Sequence, residues 1–348
     1  MAEASVQPLS GQIALVAGAT RGAGRGVARE LAAAGAKVYC TGRSVRGSPA
    51  TPGRPETIEE TAELIAEAGG RAVAARVDHT VEAEVEALAA RIGADEGRLD
   101  ILVNDIWGGD DLIAWEAKFW KEDMSAVRTL LDRAVLSHWI TARHMAPMMV
   151  AANRGLIVEV TDSELSGYRG QLLYDFLKAS AIRLAYGMAW DLAETRVTAL
   201  ALSPGFLRSE AMLERFGVTE ANWREATKAH PDFALSETPR YIGRAIAALA
   251  ADPEVGRKAG SALFVGDLAD EYGFTDLDGA RPHFWRRMGA WLDSQLAAEG
   301  ELSRQVRWMA AGRYQKTHLT PALADKARAY AARLGFDNLG AGLRPIGP

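Results

Sequence analysis

Tyr174 and Lys178 stand four residues apart in the apolar stretch Leu173-Tyr174-Asp175-Phe176-Leu177-Lys178-Ala179. If that stretch is helical, the spacing puts the phenol and the ammonium on one face, one turn apart. A fixed cation favours a phenolate and draws a tyrosine pKa down from about 10 toward the range useful for proton transfer. The pair therefore predicts a general acid/base at Tyr174. Two common residues also meet at this spacing by chance, so its meaning depends on what converges around it.

A second chemistry-bearing run is Gly18-Ala19-Thr20-Arg21-Gly22-Ala23-Gly24. It lies between an apolar strand-like run and an amphipathic helix-like one. There, glycines allow a tight turn and close approach to a pyrophosphate, while the helix N-terminus offers N–H groups and a positive dipole end. Dinucleotide folds that take NAD place an Asp or Glu about 20 residues further on, to accept from the ribose 2′-OH. Here the segment reads Tyr39-Cys40-Thr41-Gly42-Arg43-Ser44, with no carboxylate. Arg43 and Arg21 suit a 2′-phosphate, because guanidinium binds phosphate bidentately, so NADP(H) is expected in preference to NAD(H). An ordinary exposed loop arginine is the plainer reading of Arg43.

The elements that must position these groups follow from the pattern of the chain. Short apolar runs alternate with amphipathic stretches, which predicts repeated βαβ units and a doubly wound parallel sheet of the Rossmann type. Strands are expected at 12–17, 37–40, 71–77, 99–103, 155–160, 196–202 and 262–265. Helices are expected up to residue 34 and over 56–68, 81–92, 121–150, up to 194 from the Tyr174 segment, and over 239–251. Residues 206–238 read as an irregular excursion. Beyond residue 270 the pattern turns helical, over 285–298, 302–311 and 321–334. We therefore divide the chain into a dinucleotide-binding catalytic domain over 1–270 and a helical C-terminal extension over 271–348. No motif marks the extension, which reads as a packing element, with a lid or an oligomer clamp as the alternatives.

Composition limits the alternatives. The 348 residues are 48% hydrophobic and 24% charged, as in an ordinary globular protein. The net charge of −5 gives no nucleic-acid footprint. A single cysteine, Cys40, leaves no intrachain disulfide, and the six histidines form no metal-ligand spacing, so no metal is expected. No signal peptide or membrane span is legible, so a cytoplasmic location is expected.

Taken in order, the phosphate loop and the Tyr174/Lys178 pair resemble the short-chain dehydrogenase/reductase family. Asp78 after the third strand matches that family's adenine-contacting acid. Leu102-Val103-Asn104-Asp105-Ile106 resembles its Asn-Asn-Ala-Gly segment, with Asn104 retained, and Ser203-Pro204-Gly205 matches its Pro-Gly turn beside the nicotinamide. The likeness covers roughly residues 10–270. It implies cofactor contacts from Gly18, Thr20, Arg21, Gly22, Gly24, Arg43, Asp78, Asn104, Tyr174, Lys178, Pro204 and Gly205.

Two departures stand out. The family has a serine thirteen residues before the tyrosine; here Thr161 stands there, in Thr161-Asp162-Ser163. Thr161 is expected to hydrogen-bond the substrate carbonyl, with Ser163 as the alternative hydroxyl. A carboxylate at Asp162 facing the site would disfavour a phenolate, so Asp162 is expected to turn away or to meet a cationic substrate group. The family's asparagine on the long helix before the fifth strand is missing, with Ala134 near its position. His138 nearby reads as a packed or solvated histidine rather than a substitute.

By this resemblance the chain is expected to transfer hydride between NADP(H) and a carbonyl or secondary alcohol, with Tyr174 as acid/base. Imine reduction, and a catalytically weak NADP(H)-binding sensor or structural role, are the alternatives. Trp107, Trp115, Phe119 and Trp120, with Phe206, Met212, Phe216 and Trp223, suggest either a bulky apolar substrate or loop packing. Family analogy also implies a homodimer or homotetramer through the long helix and the tyrosine helix.

Overall fold

The computed structural model describes residues 7–162 and 169–297. Within them the chain opens β1 (Ile13–Ala17), α1 (Gly22–Ala33), β2 (Lys37–Gly42), α2 (Ile58–Glu67), β3 (Arg71–Arg76), α3 (Glu82–Glu96) and β4 (Ile101–Asn104). A loop with two short 3₁₀ turns leads to α4 (Met124–Leu131). A π-helical segment, Asp132–Leu136, joins α4 directly to α5 (Ser137–Ala151), so the expected long helix carries a break that neither Pro nor Gly announces. Then follow β5 (Gly155–Val160), α6 (Leu172–Asp191), β6 (Val197–Ser203), α7 (Glu210–Arg215), α8 (Pro239–Ala251), β7 (Ala262–Phe264), α9 (Val265–Tyr272) and α10 (Phe284–Ala297).

The seven strands form one sheet in the order β3-β2-β1-β4-β5-β6-β7, with every pair parallel. Parallel sheets are covered on both faces, and their strands read as nearly continuous apolar runs. β1, β4 and β6 are buried along their whole length, which is why they are legible in the sequence. One core layer joins α1, α8 and α9 to the sheet through Val27, Leu31, Ile242, Ile246 and Leu268. The opposite layer joins α3 and α5 through Val85, Ile92, Met145 and Met149.

The strand order reverses between β1 and β4, and in open α/β sheets that crevice at the carboxyl ends is where ligands bind. The expected doubly wound fold is thus the observed one. Strand 262–265 is shorter than expected: Val265 already begins α9, a helix closed by Gly273 in the left-handed conformation (φ +79°). The helices expected at 302–311 and 321–334, and the alternative hydroxyl of Ser163, lie outside the described residues.

Candidate active site

The phosphate loop leaves β1 at Gly18, whose φ of +96° is open to glycine. A Cβ there would stand 2.3 Å from the Asp105 carbonyl oxygen, and one on Gly24 would stand 2.2 Å from the Gly18 carbonyl oxygen. The backbone of β1, α1 and β4 therefore closes into a cradle that side chains would fill. A carboxylate already occupies it: the Gly22 N–H donates to Glu210 Oε2 at 2.9 Å, and Arg25 Nη1 lies 3.8 Å from Glu210 Oε1. A carboxylate from α7 thus stands at the N-terminus of α1, where dipole and free N–H groups favour negative charge. The residues present fit a dinucleotide pyrophosphate.

At the end of β2, Arg43 Nη1 lies 3.9 Å from Asp78 Oδ2, while Asp78 Oδ1 accepts from the Thr80 N–H and hydroxyl. Two residues expected to serve the adenosine end are thus already partners. Arg133 approaches from the π segment and donates to the Gly108 carbonyl at 2.7 Å. Arg21 reaches across to the Thr51 hydroxyl at 3.1 Å, and Thr20 is buried.

Asn104 is fully buried and donates to Glu159 Oε1 at 2.7 Å. Its Nδ2 ties β4 to β5, while its Oδ1 is buried without a hydrogen-bond partner. Glu159 also accepts from His138 Nδ1 at 2.5 Å, while His138 Nε2 lies 2.9 Å from the Ile106 carbonyl. Each ring nitrogen thus faces an oxygen. Burial opposes a charge on the imidazole, but Glu159 outweighs it and raises the His138 pKa. His138 is a packed residue beneath the cleft, as its lone position on a helix suggested. Ala134 lies in the π segment, buried against Leu173 and Leu177 of α6.

The acid/base candidates differ most from expectation. Tyr174 and Lys178 do share α6, which starts with Gln171 capping the Tyr174 N–H at 2.7 Å. Asp162, however, does not turn away. Its Oδ2 accepts from the Tyr174 hydroxyl at 2.6 Å and from Arg169 Nη2 at 2.9 Å. Burial first, then the Asp162 charge and hydrogen bond, push the Tyr174 phenol above its ordinary value, against the opposing pull of Arg169. The expected downward shift is therefore corrected: the nearest charge to the hydroxyl is an anion. Lys178 Nζ stands 4.1 Å from the centroid of the Trp107 ring and 5.6 Å from that of Tyr174. Burial lowers its pKa, and Asp162, Asp105 and Asp110 counter that.

Thr161 is also corrected. Its hydroxyl donates to the Lys178 carbonyl at 2.7 Å and is almost wholly buried, so its proton is not directed at a substrate. It ties the end of β5 to α6 instead.

Two buried carboxyls, Asp105 and Glu237, went unnoticed in the sequence. Asp105 lies behind the phosphate loop, its carboxyl pushed up to about 7 by burial despite Lys178 and the Gly24 N–H. Its place inside the altered Asn104-Asp105-Ile106 segment was the available signal. Trp107 and Trp115 wall Tyr174, with ring centroids 5.8 and 5.0 Å away. Phe119 and Trp120 are instead exposed and packed edge-on to each other. Phe206, Phe216, Trp223 and Phe233 pack among themselves within the 206–238 excursion, whose ends a parallel bridge between Leu207 and Glu237 closes. Packing thus accounts for that half of the expected aromatic rim. Near the Pro204–Gly205 turn, the buried Glu237 carboxyl accepts from the Gly205 N–H and is raised to about 8, chiefly by burial.

A family model described as short chain dehydrogenase matches residues 12–217. Dehydrogenase/reductase SDR family member 1 of Mus musculus is 33% identical over 303 residues, covering 86% of this chain and 93% of its own. The Homo sapiens protein of that name is 32% identical, over 78% of this chain and 85% of its own. A hydroxysteroid dehydrogenase from Escherichia coli superposes with a TM-score of 0.59 at 25% identity, over 75% of this chain and 98% of that one. A 7 alpha-hydroxysteroid dehydrogenase complexed with NADH and 7-oxo glycochenodeoxycholic acid gives a TM-score of 0.60 at 25% identity, over 81% and 99% of the two chains. Among the described residues no helix is long and apolar enough to cross a membrane. With its glycine-rich cradle at the strand-order reversal and Tyr174 and Lys178 one turn apart on α6, this chain belongs to the short-chain dehydrogenase/reductase family of oxidoreductases.

Proposed function

We propose that the protein is an NADP(H)-dependent oxidoreductase that interconverts a carbonyl and a secondary alcohol, with Tyr174 as the acid/base. The observation that carries this reading is the Tyr174 hydroxyl itself, one helical turn from Lys178 and walled by two indoles. Residues 1–270 would form the catalytic unit and 271–348 its helical extension. The cofactor supplies the hydride when bound. Gly18, Gly22 and Gly24 would hold its pyrophosphate, and Arg43 its 2′-phosphate after exchanging Asp78 for the stronger anion. The absence of a carboxylate at the end of β2 supports NADP(H) over NAD(H).

In the reducing direction Tyr174 gives its proton to the oxygen that gains charge as the carbonyl is reduced. A phenol held above its ordinary pKa keeps that proton until the oxygen becomes basic enough to take it. The Lys178 ammonium steadies the phenolate that remains, and Arg169 shields it from Asp162. Trp107 and Trp115 exclude water and favour an apolar group beside the reacting carbon. A carboxylate 2.6 Å from the phenol also suits a protonated imine, which gives C=N reduction as a second reading.

The test is NADPH consumption over panels of ketones and cyclic imines, with NADPH binding measured alongside. Tyr174→Phe is expected to keep binding and to lose on the order of 10²–10⁴ in turnover, the contribution of a positioned general acid. Tight binding with no tyrosine-dependent turnover on either panel counts against both readings. Turnover confined to imines, and lost in Asp162→Asn, selects the second.

A further inference from the structure

We propose that Trp285, on α10, is a positioning residue that ties the Pro204–Gly205 turn to the Arg169–Asp162 pair on Tyr174. This deepens the functional reading above and rests on it. The indole makes two contacts, one with each partner. Its Nε1–H donates to the Pro204 carbonyl at 2.6 Å, and its ring lies 4.8 Å from the Arg169 guanidinium carbon. The first contact holds the turn that follows β6, which the family resemblance puts beside the nicotinamide. The second holds the guanidinium that donates to Asp162 Oδ2, the atom on which the Tyr174 hydroxyl also rests.

The indole is itself fixed. Phe264 of β7 stacks on it with centroids 5.4 Å apart and planes 26° apart, and Phe284 packs edge-on at 5.3 Å. Phe284 in turn meets Phe206, and its Cβ lies 3.0 Å from where a Cβ on Gly205 would stand. A ring with its plane set by stacking and its N–H set by a carbonyl has little freedom left. It can therefore transmit position from one half of the cleft to the other. The opposite side of the turn is held by the Glu237 carboxyl on the Gly205 N–H. Pro204–Gly205 is pinned from both faces, and α10 supplies one of the pins.

Trp285 reaches Tyr174 through charge geometry. The ionisable groups that act on the phenol are Asp162 after β5, Arg169 before α6 and Asp110 after β4; Lys178 on α6, which faces Asp105, stands 5.6 Å from the ring centroid. Of these, Arg169 is the cation whose place depends on the indole. An arginine over an aromatic face is held by the ring quadrupole. Without the ring the guanidinium hydrates and leaves Asp162, so the phenol meets a less neutralised carboxylate.

The two contacts can be separated by variants of the full-length protein. Trp285→Phe keeps a ring for Arg169 and loses the donor to Pro204. It is expected to weaken NADPH binding roughly three- to tenfold by fluorescence titration, with the pH profile of turnover unchanged. Trp285→Leu loses both contacts. It is expected to weaken binding similarly and also to move the apparent pKa of the profile upward, by about half a unit or more. Tyr174→Phe run alongside separates the two claims. If Tyr174→Phe abolishes turnover while both Trp285 variants keep wild-type affinity and profile, the positioning role is overturned and the functional reading stands. If Tyr174→Phe leaves turnover intact, the functional reading falls, and unchanged NADPH affinity in Trp285→Phe then overturns the tie to the turn as well. A lowered melting temperature with neither readout moved means packing alone, which also overturns the proposal.

Discussion

The Tyr174 hydroxyl sits between a cation that would draw its proton off and an anion that holds it on, and the distances decide which prevails. Asp162 accepts from the oxygen at 2.6 Å, while Lys178 Nζ stands 5.6 Å from the ring centroid. The phenol is accordingly raised, first by burial and then by Asp162. On the proposed reading alcohol oxidation needs the Tyr174 phenolate, so its rate is expected to rise with pH as the phenol deprotonates. In Asp162→Asn the charge is gone and a neutral partner remains. The apparent pKa of that rise is expected to fall by a unit or more, each unit corresponding to about 1.4 kcal/mol. An unchanged profile would mean that another group sets it. Tyr174 and Lys178 were legible because both sit on one helix, where spacing alone fixes their relation. Asp162, Arg169 and Trp285 converge from three separate segments, and no periodicity encodes such a meeting. Thr161 misled for a related reason: position thirteen before the tyrosine fixes where the backbone is, not where a hydroxyl points.

At the scale of elements, α7 has six residues, too few to be stable alone, and it is held by its surroundings. Ser209 caps it, Glu214 pairs with Arg54 at 2.5 Å, and Glu210 reaches the Gly22 N–H of α1. The same end of α1 is where a pyrophosphate would bind, so the Glu210 charge and the cofactor compete for one positive field. A charge at a helix terminus is worth about 0.3–1 kcal/mol. Glu210→Gln is therefore expected to tighten NADPH binding roughly two- to fivefold at low ionic strength, with the gain shrinking as salt is added. Weaker binding would instead identify Glu210 as a latch that helps retain the cofactor. Nothing in the sequence announced this contact, since α7 and α1 lie almost two hundred residues apart. The strands, by contrast, were legible to within a residue or two: a buried parallel strand is a short apolar run between turn residues, and β5 spans the expected residues. The break at Asp132–Leu136 was not legible, because a π segment needs no Pro or Gly. Helix α9 was missed because Val265 extends the apolar run of β7 without a break.

At the scale of the whole molecule, the described residues present an apolar face exposed to water. Leu136 closes the π segment, Trp139 lies on α5, and Leu172, Phe176 and Trp190 lie on α6; all five are exposed, Trp139 to 60% and Trp190 to 67%. Single exposed apolar residues are ordinary, but large ones on two helices that share a sheet face are the composition of an interface core. The family resemblance points to the same two helices as a pairing surface, so a homodimer through α5 and α6 is the expected assembly. A two-fold interface uses one patch on both copies, so a single charge inserted there appears twice. The double variant Trp139→Glu, Phe176→Glu is thus expected to halve the particle mass by sedimentation or light scattering. Its melting temperature should also become independent of protein concentration, as it does when association no longer contributes to stability. Tyr174 lies on the same helix, two residues from each of Leu172 and Phe176, so turnover is expected to fall if dissociation shifts α6. A mass unchanged from wild type would rule out this face as the contact.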